Sequence, residues 1–356
     1  MLVKLRNRGM TIGALLPGKK NCITDVDGVK VGHLTLDYPL DDGDYACTGV
    51  TAILPHGGNL FREKVVAASY VLNGFGKTTG LVQLNELGVL ESPIMLTNTF
   101  GVPAVTQGTL EYILQENPEI GDTTGTINIV VGECNDGQLN SIRKFPVKPK
   151  HAIDAIQTAT ADISLEGAVG AGKGMVCFGY KGGIGSSSRV IEEGVQTYTI
   201  GCMVLSNFGG KIEFPFDKYP GIKDVRKGID ETSDGSIIMV LATDAPLSDR
   251  QLLRVAKRCG IGLGRTGSHF SHGSGDIVIA FSTANKIPHN SEAVLQTVTH
   301  IREDHPLMNQ LFAGAAEATE EAILNSLSQA VTTKGRNGLV VESMFGLKKD
   351  NNNNIM

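Results

Sequence analysis

The chain has 356 residues, 41% hydrophobic and 19% charged, with a formal net charge of −5. That composition suits a globular protein with room for a large core. It excludes the basic stripe of a nucleic-acid binder or the polybasic face of a membrane-surface protein, and no segment approaches the ~18 apolar residues of a membrane span. The N-terminal stretch MLVKLRNRGMTIGALLPGKK has basic residues but no sustained apolar core, which argues against a secretory leader. Cys22, Cys47, Cys134, Cys177, Cys202 and Cys259 are scattered and form no C-x-x-C pair. They read as reduced, mostly buried thiols of a cytoplasmic protein, not as zinc ligands or disulfide staples.

In chain order, strands are expected at Thr51–Leu54 and at Ile127–Val131, an apolar, β-branched run closed by Gly132. A helix is expected over Thr109–Gln115, stopped near Pro118. The Gly-, Ala- and Ser-rich stretch Leu165–Arg189 holds a strand-like centre, Met175–Tyr180, and a flexible turn, Lys181–Gly185. Gln196–Leu205 reads as a strand, and the polar, Pro- and Gly-containing Lys211–Asp234 as a linker. The apolar run Ile237–Ala242 begins abruptly after it. A helix should then run from Ser248 as N-cap through Cys259, with Gly260 just past its end. Asp276–Ser282 is a further strand, while Glu292–Arg302 and Met308–Ala330 read as helices. Residues 349–356 make a polar tail expected to fray. Strands and helices mix without a regular βαβ rhythm, which favours a layered α/β fold with substantial antiparallel sheet and no evident domain boundary.

Several motifs imitate cofactor sites. Gly262-x-Gly264-x-x-Gly267 has dinucleotide spacing but follows a helix, where a binding fingerprint follows a strand. Gly167-x-x-x-x-Gly172-Lys173 ends in Gly174, where a phosphate loop needs Ser or Thr, and the Lys77-Thr78 pair has Val71 in place of the first glycine. His269 and His272 lack a third ligand. No metal or organic cofactor is expected.

The chemically informative junction is Ser233-Asp234-Gly235-Ser236 ahead of Ile237-Ile238-Met239-Val240. A hydroxyl residue that starts a buried strand just after glycine suits self-cleavage, because glycine tolerates the backbone strain of attack on its own carbonyl. Cleavage between Gly235 and Ser236 frees an α-amine with a reference pKa of about 7.7–8.0, near that of a useful general base. One residue then supplies nucleophile and base. Read alone, the same dipeptide also fits a simple turn.

The segments Asp234–Pro246 and Gly273–Asn285 resemble the L-aminopeptidase/D-amidase-esterase family, which includes the β-peptidyl aminopeptidases. Asn21–His33, Val130–Asp136, Gly182–Arg189 and Val204–Gly209 are similar in the same order, so the resemblance covers nearly the whole chain. It implies a four-layer α-β-β-α sandwich, one catalytic domain cleaved into 1–235 and 236–356, and an oligomer of cleaved heterodimers, often four of them. It places the nucleophile on Ser236, a second serine and a carboxylate on Ser274 and Asp276, and an oxyanion-stabilising amide on Asn207. Some relatives carry glutamate at the place of Asp276, and many carry tyrosine where Asn135 stands. Glu133 is the candidate partner for a substrate ammonium, since a desolvated cation needs a carboxylate. The implied activity is release of N-terminal L-, D- or β-amino acids from short peptides, amides or esters. An acyltransferase of the ornithine acetyltransferase type and an uncleaved, non-catalytic homologue are the alternatives.

Overall fold

A computed structural model describes residues 3–219, 222 and 235–345. Ser233, Asp234 and the tail 349–356 lie outside the described residues, as does most of the expected linker. Within its described part, residues 211–219 form two short 3-10 turns that bury Phe214, Phe216 and Tyr219.

The strands are β1 Lys30–Pro39, β2 Tyr45–Leu54, β3 Glu63–Gly74, β4 Val89–Leu90, β5 Ile94–Asn98, β6 Val130–Cys134, β7 Val176–Cys177, β8 Tyr180–Lys181, β9 Gly183–Glu193, β10 Gln196–Asn207, β11 Ser236–Thr243, β12 Gly275–Pro288, β13 Thr333–Lys334 and β14 Val340–Val341. The helices are α1 Leu81–Leu87, α2 Val102–Glu116, α3 Pro149–Gln157, α4 Asp249–Ala256, α5 Cys259–Arg265 and α6 Leu307–Ser328. One sheet has the order β1-β2-β5-β6 and the other β4-β3-β12-β11-β10-β9. The pairs β5/β6 and β11/β12 are parallel, and the other ladders of both sheets are antiparallel.

The unbroken apolar run of β11 has a direct cause: the strand is buried on both faces. Ile238, Val240 and Ala242 point into a core shared with Ile53, Ile94, Leu96 and Val130 of the four-stranded sheet. Ile237, Met239 and Leu241 pack the opposite way, with Leu252 and Val255 of α4 and Leu311, Ala315 and Ala318 of α6. Helices α2 and α3 cover the outer face of the four-stranded sheet through Val105, Ile113, Ala152 and Ile156. The result is the expected sandwich in four layers, α-β-β-α.

Several local expectations need correction. Met175–Tyr180 is not one strand but the tight β7–β8 hairpin. Phe178 and Gly179 both take positive φ at its tip, as a two-residue turn of this hand requires. Lys181–Gly185, expected as a turn, enters β8 and β9. The strand expected from Ile127 begins at Val130. Ser248 caps α4 by accepting the Gln251 N–H, but α4 ends at Ala256 and Gly260 lies inside α5. Gly262 of α5 sits against α6, where an added Cβ would lie 2.4 Å from the Ala316 carbonyl oxygen. Gly262 thus serves helix packing, whereas Gly264 faces open space and Gly267, at φ +108°, lies against the Glu213 carbonyl.

Residues 292–302 form no helix. The segment is rich in Val and Thr, poor helix formers, and Val294 and Leu295 are exposed. It is tied at Ile301, whose N–H bonds the Pro246 carbonyl at 2.9 Å and whose carbonyl accepts from Gln251 Nε2 at 2.7 Å. All six cysteines are buried and unpaired. Among the described residues no helix is long and apolar enough to cross a membrane.

Candidate active site

Three neighbouring strands of the larger sheet bring the site together. In the ladder registers Ser236, the first residue of β11, lies opposite Asn207, the last of β10, and opposite Gly275, the first of β12. Strand spacing of about 4.8 Å sets these three positions side by side at one end of the sheet. Ser236 is 8% exposed, and its Oγ accepts the Gly275 N–H at 3.1 Å. Gly235 reaches it through a gap that admits no side chain. A Cβ there would stand 2.3 Å from the Asn207 carbonyl oxygen and 2.4 Å from Phe208 Cα.

The Asn207 amide is held at both ends. Its Oδ1 accepts the Val176 N–H at 2.9 Å, and its Nδ2 donates to the Asn135 carbonyl at 3.0 Å. This pattern fixes which end of the amide is nitrogen. One Nδ2 proton remains for another acceptor. On the other side of Ser236, Ser274 Oγ donates to Asp276 Oδ1 at 2.7 Å. Asp276 is fully buried, and its Oδ2 has no hydrogen-bond partner. Burial raises its carboxyl to about 6, against the opposing pull of the Ser274 hydrogen bond. Asn73 secures the turn before β12 by donating from Nδ2 to the Ser271 and Ser274 carbonyls.

Glu133 arrives from the other sheet, near the end of β6, and is almost wholly buried. Its Oε1 accepts the Lys77 N–H at 2.7 Å, and its Oε2 accepts from Thr99 Oγ1. Each carboxylate oxygen keeps a free lone pair. A cavity of about 510 Å³ joins these groups, with Phe75, Glu133, Asn135, Val176, Asn207 and Ser236 on its walls. Asn135 is exposed there, and its Oδ1 accepts the Gly137 N–H at 2.9 Å. Ser274 and Asp276 stand behind this wall; their neighbour Gly273 lines it.

Sequence reading missed Lys77, Thr99, Phe75 and Val176. Lys77 drew notice only as a defective phosphate loop, and its structural part is a backbone N–H, which no side-chain pattern announces. The histidine pair has no metal geometry: the described residues hold no cluster of three or more His, Cys, Asp or Glu able to bind an ion. His272 instead leans on the Phe75 ring, 6.4 Å between centroids.

Two sheets between helical layers, with a cleft at one end of a central strand, define the class: this is the layered sandwich of the N-terminal-nucleophile hydrolases. The chain belongs to peptidase family S58, whose sequence profile matches residues 21–341. It is similar to the β-peptidyl aminopeptidase of Sphingosinicella microcystinivorans, 40% identical over 92% of this chain and 86% of that protein. Among solved structures, a Pyrococcus horikoshii OT3 protein superposes with a TM-score of 0.87 at 47% identity, covering 96% of each chain. The L-aminopeptidase D-Ala-esterase/amidase of Ochrobactrum anthropi, described as a prototype of the serine aminopeptidases, gives a TM-score of 0.87 at 34% identity, covering 96% of this chain and 95% of that one. The protein is therefore a hydrolase of the serine aminopeptidase kind.

Proposed function

We propose that the chain cleaves itself between Gly235 and Ser236 and then releases N-terminal amino acids from short peptides, amides or esters through an acyl-enzyme on Ser236. The observation that carries this is the row Asn207–Ser236–Gly275 facing a buried carboxylate, Glu133, across one cavity. In the first step Ser236 Oγ attacks the Gly235 carbonyl carbon, the peptide C–N bond breaks, and water hydrolyses the ester. Residues 1–235 and 236–356 remain together as one catalytic domain, because β11 and β12 lie in the middle of the six-stranded sheet.

In turnover the freed Ser236 amine accepts the hydroxyl proton as Oγ attacks the scissile carbonyl. The free Asn207 N–H stabilises the oxyanion, a contribution of about 3–4 kcal/mol for donors of this kind. The Ser236 ammonium returns its proton to the leaving amine, with Ser274 and Asp276 orienting it. Water then releases the acid and restores the hydroxyl. Glu133 binds the substrate's ammonium and so selects free N-termini, and Asn135 contacts the substrate at the rim. A β-amino acyl group is favoured by the β-peptidyl relatives.

The cleaved heterodimers assemble further, as a tetramer of heterodimers, with Val294 and Leu295 among the exposed apolar residues available for contact. Six buried free thiols suit a reducing cytoplasm. Intact mass of the purified protein beside Ser236→Ala tests the reading. Fragments 1–235 and 236–356, found only for the unmutated chain and accompanied by turnover of amino acid amides, are expected. A single uncleaved, inactive species in both would refute it.

A further inference from the structure

One buried cation has no place in the chemistry above. Lys181, at the end of β8, is fully buried, and its Nζ donates to three backbone carbonyls: Gly172 at 2.9 Å, Met175 at 2.7 Å and Gly182 at 2.8 Å. Those bonds use every ammonium proton. Burying a charge is costly, and a carbonyl cage satisfies the ammonium without an ion-pair partner. A leucine or methionine would fill the same space without burying a charge but would take a donor from three carbonyls, so what those carbonyls do gives the cation its reason.

The Met175 carbonyl supplies one. Met175 C=O and Val176 N–H belong to the same peptide group. Its oxygen accepts from Lys181, and its N–H donates to Asn207 Oδ1. The donors therefore all point one way: ammonium to carbonyl, peptide N–H to amide oxygen, amide N–H to the cavity. Hydrogen bonds in such a chain polarise one another, more strongly where water is excluded. Burial lowers the Lys181 amine to about 7, while its three carbonyl acceptors favour the protonated form; in that form its charge draws electrons along the peptide and the Asn207 amide, and leaves the last N–H a better donor. The same bonds lock the plane of the peptide and, with the Asn135 carbonyl on Nδ2, the plane of the amide.

We infer that Lys181 is a positioning residue that orients and polarises the Asn207 amide through the Met175–Val176 peptide. This rests on the proposed oxyanion role of Asn207, and the test separates the two ideas. Lys181→Met, which keeps the side chain's length and removes charge and donors, is combined with Asn207→Ala in a double-mutant cycle on amino acid amide hydrolysis. Asn207→Ala should lower kcat by about 10²–10³. Lys181→Met should lower kcat roughly 10–100-fold with KM within about threefold, the signature of misplaced transition-state contacts. In the double variant, loss of Lys181 should add less than about threefold, since it acts through an amide no longer present.

Lys181→Gln, neutral but still a donor, should fall between, and stands in if the methionine variant does not fold. Where a variant fails to self-cleave, its cleavage rate by intact mass replaces kcat in the cycle. An unchanged kcat in both Lys181 variants overturns the inference. So does an equal loss with and without Asn207, which marks a purely structural lysine and leaves the active-site reading intact. If Asn207→Ala alone has no effect, the oxyanion assignment itself fails.

Discussion

Asp276 should destabilise the uncleaved chain at neutral pH, and its removal should show this as a pH-dependent gain. Burial lifts its carboxyl from 3.8 to about 6. A raised carboxyl favours the protonated folded form, so this contribution to stability is complete below 3.8 and is lost as pH rises through 6. The full difference is about 3 kcal/mol, most of which accrues between pH 4 and pH 8, nearly all by pH 7. The experiment is Asp276→Asn in a Ser236→Ala background, where no freed ammonium compensates the charge. Asparagine still accepts the Ser274 hydrogen bond. Its new amide protons replace Oδ2, which has no partner, at a cost independent of pH. The stability of the variant relative to its parent should therefore rise by about 2–3 kcal/mol from pH 4 to pH 8. With about 2.1 cal/mol/K of unfolding entropy per residue, this amounts to roughly 3–4 °C in relative melting temperature. Urea or thermal unfolding at several pH values measures it. A difference that stays flat with pH, or falls, would show that the Asp276 carboxylate is better solvated or paired than its surroundings indicate. In the processed enzyme the same substitution should lower kcat, a trade of activity for stability.

Two further outcomes follow from the geometry. Glu133→Gln removes the charge facing a substrate ammonium while keeping the shape that receives Lys77 N–H. Because a hydrogen bond to a charged group contributes about 1.5–3 kcal/mol, kcat/KM for amino acid amides should fall roughly 10–150-fold; an unchanged value in steady-state assays would remove Glu133 from the site. Gly235→Ala places a methyl 2.3 Å from the Asn207 carbonyl oxygen. The strand entrance must shift, so self-cleavage followed by intact mass should slow by at least tenfold, and cleavage at the original rate would mean that the junction is looser than the packing shows.

Elements with one dominant local cause were legible. The β11 run is apolar on both faces because two layers of core flank it, and Ser248 caps α4 through its own side chain. Ser236 and the Ser274–Asp276 pair were read at strand starts and the resemblance added Asn207; the ladders set Asn207 and Ser236 opposite each other. Where tertiary contacts outweighed local preference, reading failed. Residues 292–302 have enough apolar positions for a helix, yet their Val and Thr content disfavours one and Ile301 gives its backbone groups to Pro246 and Gln251. Gly260 looked like a stop signal, and α5 runs through it because α6 packs on the glycine face nearby.

By itself the sequence determined the layered class and the buried strand behind Ser236, since these depend on periodicity and on neighbours along the chain, while the family resemblance supplied Asn207, Ser274 and Asp276 as candidates. Only the tertiary structure decided that Glu133 from one sheet faces Ser236 from the other, that Lys77 N–H and Thr99 hold it, and that Lys181 reaches Asn207 through a single peptide group. Those relations join separated positions, and apart from the Thr99 hydroxyl they run through backbone N–H or C=O groups, which nearly every residue carries alike and which leave no mark in the order of side chains.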